Sequence, residues 1–187
     1  MIIYIHGFGS NGFGSKAKSF RKYFKNIDEN FIAPSLSYIP ELAITTLEEL
    51  IDSYDGDVKL IGSSLGGFYS IYLAQKYNLK AVLINPAIFP HITLKRVLGS
   101  APSFYDDSSY EWKESHLEML KNYETDVINQ DNFMLLTQKG DELLDYKEAV
   151  DKFSDAKLFV EEGGNHGFNG IERHFKNIEN HFKASKG

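Results

Sequence analysis

The sequence of 187 residues contains no cysteine. This absence excludes disulfide bonds, a thiol nucleophile and metal sites with thiolate ligands, and it fits a reducing compartment. No apolar stretch approaches the length of about 18 residues that a membrane span needs. The apolar start, Met1–His6, is shorter than a signal-peptide core and has no basic residue before it. We therefore expect a cytoplasmic protein without a membrane partner.

Basic residues are also in the minority. The chain has 20 lysines and arginines against 26 aspartates and glutamates, a net charge of −6. Without a basic stripe, a nucleic-acid partner is not expected. The six histidines show no metal-ligand spacing. The length and a hydrophobic fraction of 42% predict a single folded domain spanning residues 1–187. The oligomeric state stays open.

Six short apolar runs alternate with longer amphipathic segments. Most runs are continuously apolar, as expected for strands buried on both faces of a parallel sheet. The predicted strands are Ile2–His6, Asn30–Pro34, Val58–Gly62, Ala81–Asn85, Phe133–Gln138 and Lys157–Glu161. The predicted helices are Lys16–Asn26, Glu41–Ser53, Leu65–Asn78, Asp145–Ser154 and Ile171–Lys183. This alternation predicts a doubly wound α/β fold with a mainly parallel, six-stranded sheet.

One segment, at about residues 87–131, interrupts the alternation and has no predicted strand. It contains two weaker helical stretches, Ile92–Leu98 and Trp112–Tyr123, joined by a polar loop at Ser100–Tyr110. Because it follows a strand and precedes the next one, we expect a small helical lid inserted into the domain.

The sharpest functional signal is the hexapeptide Gly62-Ser63-Ser64-Leu65-Gly66-Gly67. It matches the pattern G-x-S-x-G between a predicted strand and a predicted helix, which is the nucleophile turn of α/β-hydrolases. Glycines two residues before and after the serine prevent collisions in this strained turn. We predict Ser64 as the nucleophile, because Ser63 lies off the centre of the glycine frame.

The tripeptide His6-Gly7-Phe8 ends the first predicted strand. In α/β-hydrolases a loop at this place donates one backbone N–H to the oxyanion hole, and the residue after the nucleophile donates the second. The predicted donors are therefore the amides of Phe8 and Leu65. His6 is interpreted as a structural hydrogen-bonding residue rather than a base.

A histidine on a glycine-flanked loop follows the last predicted strand, in Gly163-Gly164-Asn165-His166-Gly167. Such a loop can reach over the edge of the sheet to the serine, so His166 is the predicted general base. His174 and His181 lie seven residues apart on one predicted helix, too far apart to share a metal. They are interpreted as surface or packing residues.

The predicted acid follows strand Phe133–Gln138, in Gly140-Asp141-Glu142-Leu143-Leu144-Asp145. The chain order serine, acid, histidine is the one that α/β-hydrolases use. Glu142 and Asp145 are alternatives to Asp141. Because Asp145 is expected to cap the following helix, Asp141 is favoured as the acid.

A competing pattern, G-x-G-x-x-G, occurs at residues 7–12 between a strand and a helix, as in dinucleotide-binding proteins. That fingerprint also requires an acid at the end of the next strand, where this sequence has Ala33-Pro34-Ser35-Leu36. Nucleotide binding is therefore disfavoured, and no cofactor is predicted.

Taken together, these stretches resemble the YqiA-like esterases, a family of small bacterial α/β-hydrolases. The matching stretches are His6-Gly7-Phe8, Ser15-Lys16-Ala17, Gly62–Gly67, Asn85-Pro86-Ala87, Gly140-Asp141-Glu142, Leu144-Asp145-Tyr146 and Gly163–His166. The resemblance implies a cofactor-free serine esterase that cleaves small-molecule carboxylic esters or thioesters of small acyl groups. It implies Ser64, Asp141 and His166 as the catalytic triad.

A different class of function stays open, because a fold does not fix a function. The chain could be a non-catalytic binding module on the same α/β-hydrolase fold.

Overall fold

Eight strands are present in the computed structural model, which describes residues 1–184. In chain order they are β1 (Ile2–Ile5), β2 (Phe31–Ile32), β3 (Lys59–Ser63), β4 (Lys80–Ile84), β5 (Gly99–Pro102), β6 (Ser109–Trp112), β7 (Phe133–Gln138) and β8 (Lys157–Glu161). Six of them form one parallel sheet in the order β2-β1-β3-β4-β7-β8, and β5 pairs with β6 in an antiparallel hairpin.

Helices connect these strands. In chain order they are α1 (Ser15–Asn26), α2 (Pro40–Asp52), α3 (Leu65–Tyr77), α4 (Pro90–Thr93), α5 (Glu114–Lys121), α6 (Tyr146–Lys152) and α7 (Phe175–Lys183). Three short 3₁₀ turns lie at Leu94–Val97, Gln130–Asn132 and Ile171–His174. Within residues 1–184, no helix is long and apolar enough to cross a membrane.

The core lies in two layers, one on each face of the sheet. Side chains alternate along each strand, so in β1 Ile2 and Tyr4 join one apolar cluster while Ile3 and Ile5 join the other. Helices α1 and α7 cover the first face, and α2, α3, α5 and α6 contribute to the cluster on the second. The predicted doubly wound, six-stranded α/β fold is therefore confirmed.

The predicted boundaries of the sheet agree closely with the structure. Strands β7 and β8 have the predicted ends, and the other long strands differ by one residue. Strand β2 is shorter than predicted, with only two paired residues at the edge of the sheet. Pro34 follows this strand and carries no N–H for further pairing, which fits its early end.

The expectation that the segment at about residues 87–131 has no strand was wrong. Strands β5 and β6 form a hairpin that overlaps both ends of the predicted polar loop Ser100–Tyr110, and Trp112 belongs to β6 rather than to a helix. Neither strand has the apolar alternation that predicts a strand, because most of their residues are small or polar and only Ala101 and Trp112 are buried. This segment between β4 and β7 is called the insertion below.

A buried lysine joins the sheet to the last helix. Lys80, the first residue of β4, is 6% exposed. Its Nζ donates to the carbonyl oxygens of His181 at 2.8 Å and of Ala184 at 2.6 Å. These carbonyls lie at the C-terminal end of α7, where helix groups lack intrahelical partners and a cation is favoured.

Lys80→Met is expected to lower the free energy of unfolding by about 2 kcal/mol, because it leaves two carbonyl groups without their charged donor. Urea denaturation followed by circular dichroism measures the change. Lys22→Met, on the exposed surface of α1, is the matched control and is expected to change stability little. Equal urea midpoints for the two variants would contradict the stabilising role that we assign to Lys80.

Candidate active site

Ser64 occupies a sharp turn between the end of β3 and the start of α3. Its φ and ψ angles are 55° and −119°, a conformation that is strained for a residue with a Cβ. The turn is fixed by its backbone, since the Ser64 amide donates to the Ile84 carbonyl at 3.0 Å. The Ser64 carbonyl accepts from the amides of Gly67 at 2.9 Å and Ala87 at 3.0 Å. The side chain is thereby held at the carboxyl end of the sheet.

Two glycines permit this turn by allowing backbone segments to touch. A Cβ on Gly62 would lie 2.2 Å from the Gly66 carbonyl oxygen, and a Cβ on Gly66 would lie 2.0 Å from the Ile5 carbonyl oxygen. Both distances are far below van der Waals contact, so neither position accepts a larger residue without displacing backbone. The G-x-S-x-G pattern therefore has a steric cause at both ends.

Ser64, His166 and Asp141 form a continuous hydrogen-bonded chain. His166 Nε2 lies 3.0 Å from Ser64 Oγ, and His166 Nδ1 lies 2.8 Å from Asp141 Oδ2 and 3.0 Å from Oδ1. A carboxylate can only accept, so Nδ1 carries the proton and Nε2 is free to accept from the serine hydroxyl. The structure thus brings together three residues that are up to 102 positions apart in the sequence.

The Asp141 carboxylate is held in its charged form. Its side chain is only 3% exposed, and burial alone would raise its pKa. The hydrogen bond with His166 and those from the Leu143 and Leu144 amides, at 2.9 and 3.0 Å, outweigh burial. The pKa of Asp141 therefore lies below its ordinary value.

The two other acids of this loop have separate partners. Glu142 accepts a hydrogen bond at 3.0 Å from the backbone amide of His166, not from its ring. Asp145 caps α6, since its Oδ1 accepts from the Lys147 amide at 3.0 Å. The geometry therefore favours Asp141 as the partner of the imidazole. Glu142 instead holds the backbone of the loop Gly163–Gly167 that carries His166.

Two buried side-chain amides, those of Asn85 and Gln138, support the loop that carries His166. Sequence reasoning gave them no role. Asn85 Nδ2 donates to the carbonyl oxygens of Asn165 at 3.0 Å and His166 at 3.1 Å. Gln138 Oε1 accepts from the Asn165 and Asn169 amides at 3.2 and 2.9 Å. Both lie at or just after the carboxyl end of a strand, and Asn85 also belongs to the family-like stretch Asn85-Pro86-Ala87, but neither signal indicated a contact with the loop of His166.

The loop after β1 lies beside Ser64. A Cβ on Gly7 would lie 3.2 Å from the Ser64 Cβ and 3.7 Å from its Oγ. Within residues 1–184, the amides of Phe8 and Leu65 donate no hydrogen bond to a protein acceptor. Leu65 is the first residue of α3, where helix amides lack intrahelical acceptors. Both residues also line the cavity that contains Ser64.

His6 fixes the orientation of the Phe8 amide. Its Nε2 accepts from the Leu36 amide at 3.0 Å, so its Nδ1 carries the proton and donates to the Gly7 carbonyl at 2.8 Å. Burial lowers the pKa of His6 despite the bond to Gly7, which favours the neutral ring that this pattern requires. Because the Gly7 carbonyl and the Phe8 amide share one peptide plane, holding the first orients the second.

Two cavities meet at Phe8 and Leu65, which line both. The first has a volume of about 310 Å³ and also includes Ser64 and His166. The second has a volume of about 260 Å³, and its lining includes several tyrosines and serines, among them Tyr69. A cavity of the first size accommodates a small ligand at the serine.

The glycine-rich stretch at residues 7–12 has a packing role. A Cβ on Gly12 would lie 2.0 Å from the Ala33 carbonyl oxygen, so this glycine permits close contact with the segment after β2. Helix α1 begins only at Ser15, three residues beyond the pattern. Within residues 1–184, no group of three histidine or acidic side chains is arranged to hold a metal.

The sequence profile of the uncharacterised protein family UPF0227 matches residues 1–184. The chain belongs to this family. A UPF0227 protein of Vibrio cholerae is 26% identical over 191 residues, an alignment that covers 100% of this chain and 97% of that protein. Membership of UPF0227 confirms the resemblance to the YqiA-like family that the motifs indicated.

Solved structures share the fold of this UPF0227 chain. Alpha/beta hydrolase domain-containing protein 10 from mouse superposes with a TM-score of 0.74 at 19% identity, covering 96% of this chain and 88% of that one. A monoacylglycerol lipase from Paleococcus ferrophilus superposes with a TM-score of 0.67 at 15% identity, covering 98% and 94%. These similarities confirm the α/β-hydrolase fold.

Asn85→Asp is expected to lower the free energy of unfolding by about 2 kcal/mol. The exchange keeps the shape but removes both N–H donors and places a carboxylate against the carbonyls of residues 165 and 166. Urea denaturation measures the effect. Asn122→Asp, exposed at the end of α5, is the matched control. A loss in Asn85→Asp no larger than in this control would contradict the support that we assign to Asn85.

Proposed function

We propose that this chain is a serine esterase that hydrolyses carboxylic esters or thioesters of small acyl groups through an acyl-serine intermediate. The observation that carries the proposal is the hydrogen-bonded chain from Ser64 through His166 to Asp141, with the serine facing a cavity of about 310 Å³. A nucleophile, a base and an orienting acid in this geometry are the requirements of acyl transfer.

In the first half of the reaction, Ser64 Oγ attacks the acyl carbonyl while His166 Nε2 takes the hydroxyl proton. Asp141 keeps the imidazole in the tautomer with the proton on Nδ1 and stabilises the imidazolium that forms. When the tetrahedral intermediate collapses, His166 gives its proton to the leaving alcohol or thiol. The acyl group remains on Ser64 as an ester.

In the second half, a water molecule attacks the acyl-serine ester, with His166 again taking a proton. Collapse releases the carboxylic acid, and the proton returns to Ser64 Oγ. In both halves the carbonyl oxygen becomes an oxyanion, for which we propose the amides of Phe8 and Leu65 as donors. Each donor of this kind lowers the barrier by about 3 kcal/mol.

The proposed nucleophile is tested with a fluorophosphonate probe, which forms a bond to an activated serine oxygen as fluoride leaves. Wild-type protein is expected to be labelled on the peptide containing Ser64, as read by mass spectrometry. Ser64→Ala is expected to lose labelling and at least about 10⁴-fold in kcat on a 4-nitrophenyl ester, since the three residues act as a unit.

Ser63→Ala is the matched control and is expected to keep the labelling, because Ser63 is the buried last residue of β3 and lies outside the hydrogen-bonded chain of Ser64, His166 and Asp141. An unlabelled, folded wild-type protein that hydrolyses no ester would point instead to a binding module without catalysis.

The choice of acid is tested by two isosteric exchanges. Asp141→Asn is expected to lower kcat by about 10⁴-fold, because an amide no longer fixes the tautomer of His166. Glu142→Gln keeps an oxygen that can accept from the His166 backbone amide, so its effect on kcat is expected to stay below about tenfold. Steady-state kinetics on the same 4-nitrophenyl ester measures both, and a reversed order would make Glu142 the acid.

A further inference from the structure

The cavity at Ser64 has two cationic residues in its lining, although the protein as a whole is acidic. Its lining includes Lys16 and Arg96 and, within residues 1–184, no aspartate or glutamate. In the chain as a whole, acidic residues outnumber lysines and arginines by 26 to 20. Among the described residues, the adjoining cavity has neither a lysine nor an arginine in its lining. Of the two cavities, the one that contains the serine is therefore the one lined by cations.

Arg96 provides an available cation in this lining. It lies in the 3₁₀ turn Leu94–Val97 of the insertion and is exposed. Within residues 1–184, its guanidinium forms no ion pair and no hydrogen bond. A planar guanidinium can bind a carboxylate or phosphate through two parallel hydrogen bonds.

Lys16 provides the second cation from a different element, the first turn of α1. Its Nζ donates to the Gly167 carbonyl at 2.7 Å, and no carboxylate within residues 1–184 forms an ion pair with it. Burial lowers the pKa of Lys16, because removal from water disfavours its charged form. A bound anion would favour the charged form. Gly167 follows His166, so this ammonium lies near the proposed base.

We infer that the preferred substrate is an ester or thioester carrying a second, anionic group, a carboxylate or a phosphate, which Arg96 and Lys16 bind. This inference rests on the proposed function, and it adds the substrate class. The two cations lower the energy of an anion in the cavity, whereas an uncharged substrate leaves them without a partner.

The first test compares two six-carbon 4-nitrophenyl esters, the hexanoate and the monoadipate, which differ in a terminal methyl or carboxylate. The measured quantity is the ratio of kcat/KM for the anionic ester to that for the neutral one. Arg96→Gln is expected to lower this ratio by about tenfold, because a charged hydrogen bond is lost. Rising salt is expected to lower the wild-type ratio.

A second pair places the anion on the leaving group instead. It compares phenyl butyrate with the butyrate ester of 4-hydroxyphenyl phosphate, with product release followed by chromatography. A fall of the ratio in Arg96→Gln with one pair alone identifies which side of the scissile bond the cations contact. Unchanged ratios with both pairs would overturn the inference.

Matched controls are available beside each cation. Lys95→Gln changes the exposed neighbour of Arg96, which is not part of the cavity, and Lys18→Gln changes an exposed lysine of α1. Neither control is expected to alter the ratios, whereas Lys16→Gln is expected to lower them. Equal effects of Lys95→Gln and Arg96→Gln would indicate general surface charge and contradict a specific site.

A binding measurement distinguishes failure of this inference from failure of the proposed function. Calorimetry with Ser64→Ala compares monomethyl adipate with methyl hexanoate, which the variant is not expected to hydrolyse. Tighter binding of the anionic ester, lost in the double variant Ser64→Ala/Arg96→Gln, supports the anion site even if wild-type protein hydrolyses no ester. Equal binding of the two esters overturns the anion site, even where neutral esters are hydrolysed.

Discussion

The contact between α3 and the sheet leaves no space for a side chain. A Cβ at Gly66 would meet the Ile5 carbonyl oxygen at 2.0 Å, and a Cβ at Gly62 would meet the Gly66 carbonyl oxygen at 2.2 Å. Between these two glycines the backbone of Ser64 turns sharply from β3 into α3, with a positive φ of 55°. Hydrogen bonds of the Ser64 backbone with Ile84, Gly67 and Ala87 stabilise this strained conformation.

The parallel arrangement of the strands brings the remaining parts of the site to the same edge. Successive parallel strands place the segments after β1, β3, β7 and β8 at their carboxyl ends, where ligands bind in open α/β sheets. Each of those segments carries one element of the site. The buried side-chain amides of Asn85 and Gln138 then fix the position of the loop that carries His166, because they bind its backbone. The position of His166 therefore depends on residues that lie beneath it.

The sequence was sufficient to predict the features that depend on short stretches of neighbouring residues. Continuous apolar runs identified all six strands of the main sheet, and β7 and β8 were bounded to the residue. The hairpin of the insertion was missed, because its strands are mostly exposed and lack alternating apolar residues. Motifs in the sequence also indicated the segments around Ser64, Asp141 and His166. Contacts between distant segments, such as those of Asn85 or of Lys80, depend on tertiary packing that no local pattern encodes.

Residues of the cavity come from two sources. Ser64 and His166 belong to segments of the main sheet, whereas Thr93, Leu94, Arg96 and Phe104 belong to the insertion. Asp141, which completes the hydrogen-bonded chain, also lies outside the insertion. Changes at Thr93, Leu94, Arg96 or Phe104 can therefore reshape what the cavity recognises, while Asn85 and Ala87 continue to hold the loop of His166 and the backbone of Ser64. Relatives that keep the same scaffold could in this way diverge in ligand preference, and exchanging this segment between them is a direct route to redesigned selectivity.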